Sequence, residues 1–125
     1  MNQKFNGHKI ILDASPEVGG QNLGPRPKPL MLSALGGCTG IDVISILTKM
    51  RVEVEAFRVI VAGDITEEHP KHFRKMHVIY EFTGRDLPLE KLQKAVELSE
   101  QRSCGVSANY RKSMELTSEI RIVGS

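Results

Sequence analysis

From Leu30 to Met50 the chain carries only two charges, Asp42 and Lys49, in an otherwise apolar and small-residue run. With no clean polar face, the run predicts a helix buried on most sides. Pro29 suits its first turn, where a backbone N–H has no helical partner. Ser33, Gly36, Gly37 and Gly40 recur at three- and four-residue spacing. They lay a strip of very small side chains along the helix, close enough for another helix to approach. A glycine inside a helix costs about 1 kcal/mol relative to alanine, so this cluster must be compensated by packing or by access to a site. Cys38 lies at the edge of the strip.

Around this helix the chain alternates. Phe5 to Ala14 reads as an early strand, followed by a long loop marked by Pro16, Gly19, Gly20, Gly24, Pro25 and Pro27. Val52 to Ile65 reads as a long strand and Phe73 to Phe82 as a second, making an antiparallel pair. Asp86 and Pro88 open an amphipathic helix that stops near Ser103-Cys104-Gly105. Val106 to Met114 adds a helical turn or two, and Leu116 to Val123 a last strand. The order predicts an α+β fold with helices collected on one side of a sheet. At 125 residues it is one domain, 1–125, with a single core.

A net charge of +2, from 17 basic and 15 acidic residues with no dense basic block, argues against nucleic acid as a partner. The N-terminus lacks an apolar leader, and glycines and charges interrupt the longest apolar run, so secretion and membrane spanning are disfavoured. Two cysteines are too few to staple a secreted scaffold. The expected compartment is therefore the reducing cytosol, where a cysteine pair points to redox use.

Cys38 and Cys104 each sit among glycine, serine and threonine, which leaves room for approach to sulfur. At the start of a short helix, Cys104 would have its thiolate stabilised by free N–H groups, with Arg102 and Arg111 nearby in sequence. Cys38, mid-helix, needs a cation or donor from elsewhere in the fold. From the residues alone, a packing role for both remains equally open. His69, His72 and His77 read as solvated surface rather than a metal site. No nucleotide-binding glycine loop is present, so neither cofactor nor metal is expected.

The run from Pro29 through Gly36-Gly37-Cys38-Thr39-Gly40-Ile41-Asp42-Val43, followed by Ser103-Cys104-Gly105-Val106-Ser107, resembles the OsmC/Ohr superfamily of osmotically inducible and organic-hydroperoxide-resistance proteins. The Gly-Arg-Asp-Leu turn from Gly84 to Leu87 is similar to its OsmC-like branch. The resemblance implies an intertwined homodimer whose antiparallel sheets wrap a pair of central helices. It implies a thiol peroxidase in which Cys38 attacks an organic hydroperoxide and becomes a sulfenic acid. Cys104 then resolves it as a Cys38–Cys104 disulfide, and an external thiol or lipoyl group reduces that bond. Leu35, Ile41, Phe57 and Val106 are the candidate apolar walls. Pro29 stands roughly where the family's well-studied peroxidases place a glutamate, and their N-terminal arginine has no counterpart; Arg26, outside the matched motif, reads as an exposed loop arginine sooner than as a substitute cation. The alternative is an OsmC-fold dimer that binds a small apolar ligand without turnover or acts as a thiol redox sensor.

Overall fold

The computed structural model describes residues 2–124. They fall into two compact units, Met1–Ser33 and Ala34–Ser125.

In the first unit, β1 (Asn2–Phe5) and β2 (His8–Ile11) pair antiparallel, with Phe5 opposite His8. The segment expected as one strand is thus a hairpin. Asn6 and Gly7 have φ of 49° and 84°, the two positive values that a tight two-residue hairpin turn requires. Beyond β2, the Asp13 carboxylate accepts backbone N–H bonds from Ala14 at 2.8 Å, Gln21 at 2.8 Å and Leu23 at 3.1 Å. A single side chain thereby organises the proline- and glycine-rich loop.

The helix α1 (Leu30–Lys49) begins at the end of that unit and runs into the second. It closes on a two-bond C-terminal cap: Arg51 N–H donates to the Thr48 carbonyl and Val52 N–H to that of Leu47. Arg51 takes the left-handed conformation this needs, φ 60°. The cap engages Val52, so β3 starts at Ala56 rather than at Val52.

In the second unit β3 (Ala56–Ile65), β4 (Phe73–Thr83) and β5 (Glu115–Val123) form a sheet in that order. β3 and β4 are antiparallel as expected, with Ile60 opposite Ile79. The β4–β5 pair is parallel, from Lys75 beside Glu115 to Thr83 beside Val123, which corrects the all-antiparallel expectation. The physical reason is the connection between them, which holds α2 (Leu89–Leu98), a π-helical turn (Ser99–Ser103) and α3 (Gly105–Arg111). A crossover of that length returns the chain to the same end of the sheet, where a short turn would have reversed it.

The core follows from β4, whose Met76, Val78, Tyr80 and Phe82 are buried at every second position. Leu35, Val43 and Leu47 come from α1, and Leu92, Ala95 and Val96 from α2. The glycine strip meets a strand rather than a helix. A methyl group added at Gly36 would lie 3.0 Å from Val61 Cγ2, and one at Gly40 3.1 Å from Val59 Cγ2. A similar methyl at Gly37 would meet nothing within 4 Å. Nor is α1 buried on most sides within this chain: one stripe through Leu35, Thr39, Val43 and Leu47 is covered, while Ile41 is 74% exposed. By length and apolarity alone α1 also passes for a membrane span, but its glycines seat it against β3.

Candidate thiol site

Cys38 projects from the middle of α1 and Asp42 follows one helical turn later, on the same side. Cys104 stands immediately before α3, where the π-helical turn ends with Cys104 N–H donating to the Ser99 carbonyl at 2.8 Å. The extra residue of that wider turn places Cys104 in extended conformation, φ −83° and ψ 106°, so its side chain caps α3. Its sulfur accepts the Ser107 N–H at 3.3 Å. Cys104 is 3% exposed, and Cys38 is half-buried.

Both sulfurs and a carboxylate oxygen of Asp42 lie within 4.8 Å of one another. Both cysteines are free thiols. A disulfide would require the sulfurs to close by at most about 3 Å.

Cys104 occupies the helix-start position expected of it. Cys38 also receives a donor from that turn, because the Val106 backbone N–H bonds its sulfur and favours the thiolate. Other influences outweigh it. Burial, a hydrogen bond to Cys104 and the negative charges that Cys104 and Asp42 can carry all push the Cys38 thiol above its ordinary range.

Arg111 and Arg26 are occupied elsewhere. Arg111 donates to the Glu100 carbonyl at 2.7 Å, and Arg102 is exposed on the π-helical turn. Arg26 belongs to the first unit and bonds Asn22 Oδ1 at 2.6 Å within its own loop. Of the expected walls, Val106 borders the thiols. Leu35 is core, Phe57 packs on Phe82 with ring centroids 4.9 Å apart, and Ile41 is exposed. His77 is not a free surface histidine, since its ring bonds Thr117 Oγ1 at 2.7 Å and Glu119 Oε1 at 2.8 Å.

Asp42, Ser99, Tyr80 and Glu100 were not singled out from the sequence. Ser99, fully buried, donates to the Thr39 carbonyl at 3.2 Å and approaches Asp42 Oδ2 at 3.4 Å. That hydroxyl joins the π-helical turn to α1 and steadies the carboxylate. Tyr80 donates to Glu100 Oε2 at 2.7 Å, and its burial raises the hydroxyl's pKa far above the normal value. One signal for Asp42 was available: it is the only acid in α1, one turn from a cysteine.

The family model for OsmC-like proteins matches residues 19–119, spanning both cysteines and most of the chain. The chain belongs to the OsmC-like family. Protein YhfA of Escherichia coli K12 is 31% identical over 125 residues, which is all of this chain and 90% of that protein. A protein of Aquifex aeolicus VF5 described as hypothetical superposes with a TM-score of 0.84 at 29% identity, over 98% of this chain and 86% of the other. An organic hydroperoxide resistance protein of Elizabethkingia anophelis shares the fold, with a TM-score of 0.72 at 14% identity over 93% and 82% of the two chains.

Proposed function

We propose that this OsmC-like protein is a cysteine-based thiol peroxidase that reduces organic hydroperoxides, with Cys38 attacking and Cys104 resolving. The observation that carries this reading is the approach of the two sulfurs to within 4.8 Å, with Cys38 the more accessible of the pair. An organic hydroperoxide resistance protein with the same fold agrees with that chemistry.

In the proposed cycle Cys38 releases its proton to solvent, the Val106 N–H favouring the anion. The thiolate sulfur bonds the terminal oxygen of the hydroperoxide and the O–O bond breaks. The alkoxide takes up a proton and leaves as the alcohol, so the hydroperoxide gains two electrons and Cys38 becomes a sulfenic acid. The Cys104 thiolate then attacks the Cys38 sulfur. Hydroxide departs as water, and an external dithiol or lipoyl group reduces the resulting disulfide by exchange. The proposed setting is the cytosol, which supplies such reductants.

We also propose a homodimer. Ala34, Gly37, Ile41 and Ser45 lie exposed along one side of α1, a side that carries no charge. A second copy covering this side would complete walls that one chain lacks.

A second reading is favoured by the surroundings of Cys38. With burial, Cys104 and Asp42 all opposing ionisation, the same pair suits a slower dithiol switch whose disulfide is read by a protein partner. One experiment separates the two. Reduced protein is mixed with an alkyl hydroperoxide, and intrachain disulfide and alcohol product are followed by mass spectrometry, with Cys38→Ser and Cys104→Ser as controls. The peroxidase reading expects alcohol in step with disulfide and repeated turnover with a dithiol. Oxidation no faster than in the unfolded chain would sink it.

A further inference from the structure

The convergence of Asp42 with the two cysteines suits a second ligand chemistry. Among the described residues, Cys38, Asp42 and Cys104 are the one group of three whose metal-ligating atoms lie together, all within 4.8 Å. Two thiols and one carboxylate are the donor set of a borderline-soft divalent ion, above all zinc. Zinc–sulfur bonds of about 2.3 Å and zinc–oxygen bonds of about 2.0–2.2 Å place tetrahedral ligand atoms roughly 3.5–3.8 Å apart. The three atoms, within 4.8 Å of one another, therefore need to draw together by at most about 1.3 Å.

The backbone holds this set from two directions. Cys38 and Asp42 are one turn apart on α1, and Cys104 is fixed by the π-helical turn and by the Ser107 N–H. The Ser99 hydroxyl at 3.4 Å supports the carboxylate from behind, as outer-shell donors do at metal sites. Cys38 and Asp42 are half-buried rather than sealed, so an ion has a way in.

We propose that the reduced protein binds one zinc ion through Cys38 Sγ, Cys104 Sγ and a carboxylate oxygen of Asp42, leaving the fourth position open. On binding, two S–H protons leave to solvent and two S–Zn bonds form, with no change of oxidation state. Both sulfurs are then engaged, so a bound ion and a Cys38–Cys104 disulfide exclude each other, and zinc protects the thiols from oxidation. The binding rests on the three side chains alone and stands or falls apart from the peroxidase reading.

The test uses the reduced full chain titrated with cobalt(II) under a non-coordinating reductant, then with zinc. The expected result is one equivalent per chain, a thiolate-to-cobalt charge-transfer absorption, and its bleaching by zinc. Cys38→Ser, Cys104→Ser and wild-type protein with alkylated thiols lose the absorption, as does the disulfide form. The alkylated and oxidised samples need no substitution, so they hold the test even where a variant folds poorly. Outer-shell partners alone are worth about 10- to 100-fold in affinity, so Asp42→Asn weakens binding by at least about tenfold. Absence of the charge-transfer absorption, or uptake unchanged by thiol alkylation, overturns the proposal. Uptake surviving alkylation would assign the ion to other residues, such as those of the exposed loop holding His69 and His72.

Discussion

Cys38 and Cys104 bring their sulfurs within 4.8 Å of each other, and a carboxylate oxygen of Asp42 lies within the same distance of both. The site resists ionisation of Cys38, first because burial disfavours its charged form and then because a thiolate there would face a second thiol and a carboxylate. Its pKa is raised, so the thiolate fraction at neutral pH is smaller than that of a free cysteine, whose pKa is about 8.5. Alkylation of Cys38 by iodoacetamide, followed by peptide mass spectrometry, should keep accelerating with pH beyond the point where a free thiol levels off. Asp42→Asn removes one opposing charge, the smallest of the causes that raise the thiol, so its profile should shift modestly to lower pH and its rate at pH 8 should rise. An unchanged profile would remove Asp42 from the electrostatics of the site.

Gly40 tests how α1 is seated. Its missing side chain lets the helix lie on β3, where a methyl would come 3.1 Å from Val59 Cγ2 and 3.6 Å from Phe57 Cε2. Gly40→Ala gains about 1 kcal/mol of helix propensity but must push Val59 aside, so the two effects nearly cancel. Gly40→Val adds bulk with no room to take it and should destabilise by about 1–3 kcal/mol. Urea unfolding measures both, and the fall should appear as a lower midpoint at an unchanged slope.

Ile41 tests the proposed homodimer. An isoleucine 74% exposed on an apolar helix is covered if a second copy lies there. Ile41→Lys should convert dimer to monomer in sedimentation velocity while leaving the circular dichroism spectrum unchanged. A wild-type chain that sediments as a monomer at tens of micromolar would exclude this use of the face.

The legible parts of the fold are those whose pattern is local. Met76, Val78, Tyr80 and Phe82 alternate strictly, and their strand spans Phe73–Thr83. Leu89, Leu92, Ala95, Val96 and Ser99 share one face by spacing; Leu92, Ala95 and Val96 are the buried residues of α2 and Ser99 is buried just beyond it, while Leu89 at the helix start is 47% exposed. Spacing also revealed room along α1 at Gly36 and Gly40, but room does not say what fills it, and β3 fills it instead of a helix. The site was legible in its cysteines and not in their surroundings. Cys38 lies mid-helix, where neighbouring N–H groups are already bonded along the helix, so its donor had to come from another element, and it comes from Val106. Asp42 acquires its role only when the crossover folds back and sets Ser99 and Cys104 beside it. Such a meeting, between residues 57 or more positions apart, is decided by topology and leaves no trace in local periodicity.

Asp13 offers a test of the first unit that is independent of the thiols. Its carboxylate accepts three backbone N–H bonds, from Gln21, Leu23 and Ala14, and these hold its pKa below the ordinary aspartate value. Hydrogen bonds to the charged form favour that form. A depressed folded pKa gives stabilisation that is fully present above the unfolded value of about 3.9 and is lost as pH falls through the folded value. The loop spanning residues 13–23 should therefore stay ordered through pH 5 and loosen only in stronger acid. Carboxyl-carbon NMR should find Asp13 titrating below the exposed aspartates. Protonation should coincide with loss of the downfield amide shifts of Gln21 and Leu23. Asp13→Asn keeps an acceptor oxygen but not the charge, so it should loosen the loop at every pH and abolish the acid transition there. A transition that persists in Asp13→Asn would assign the acid sensitivity to another group.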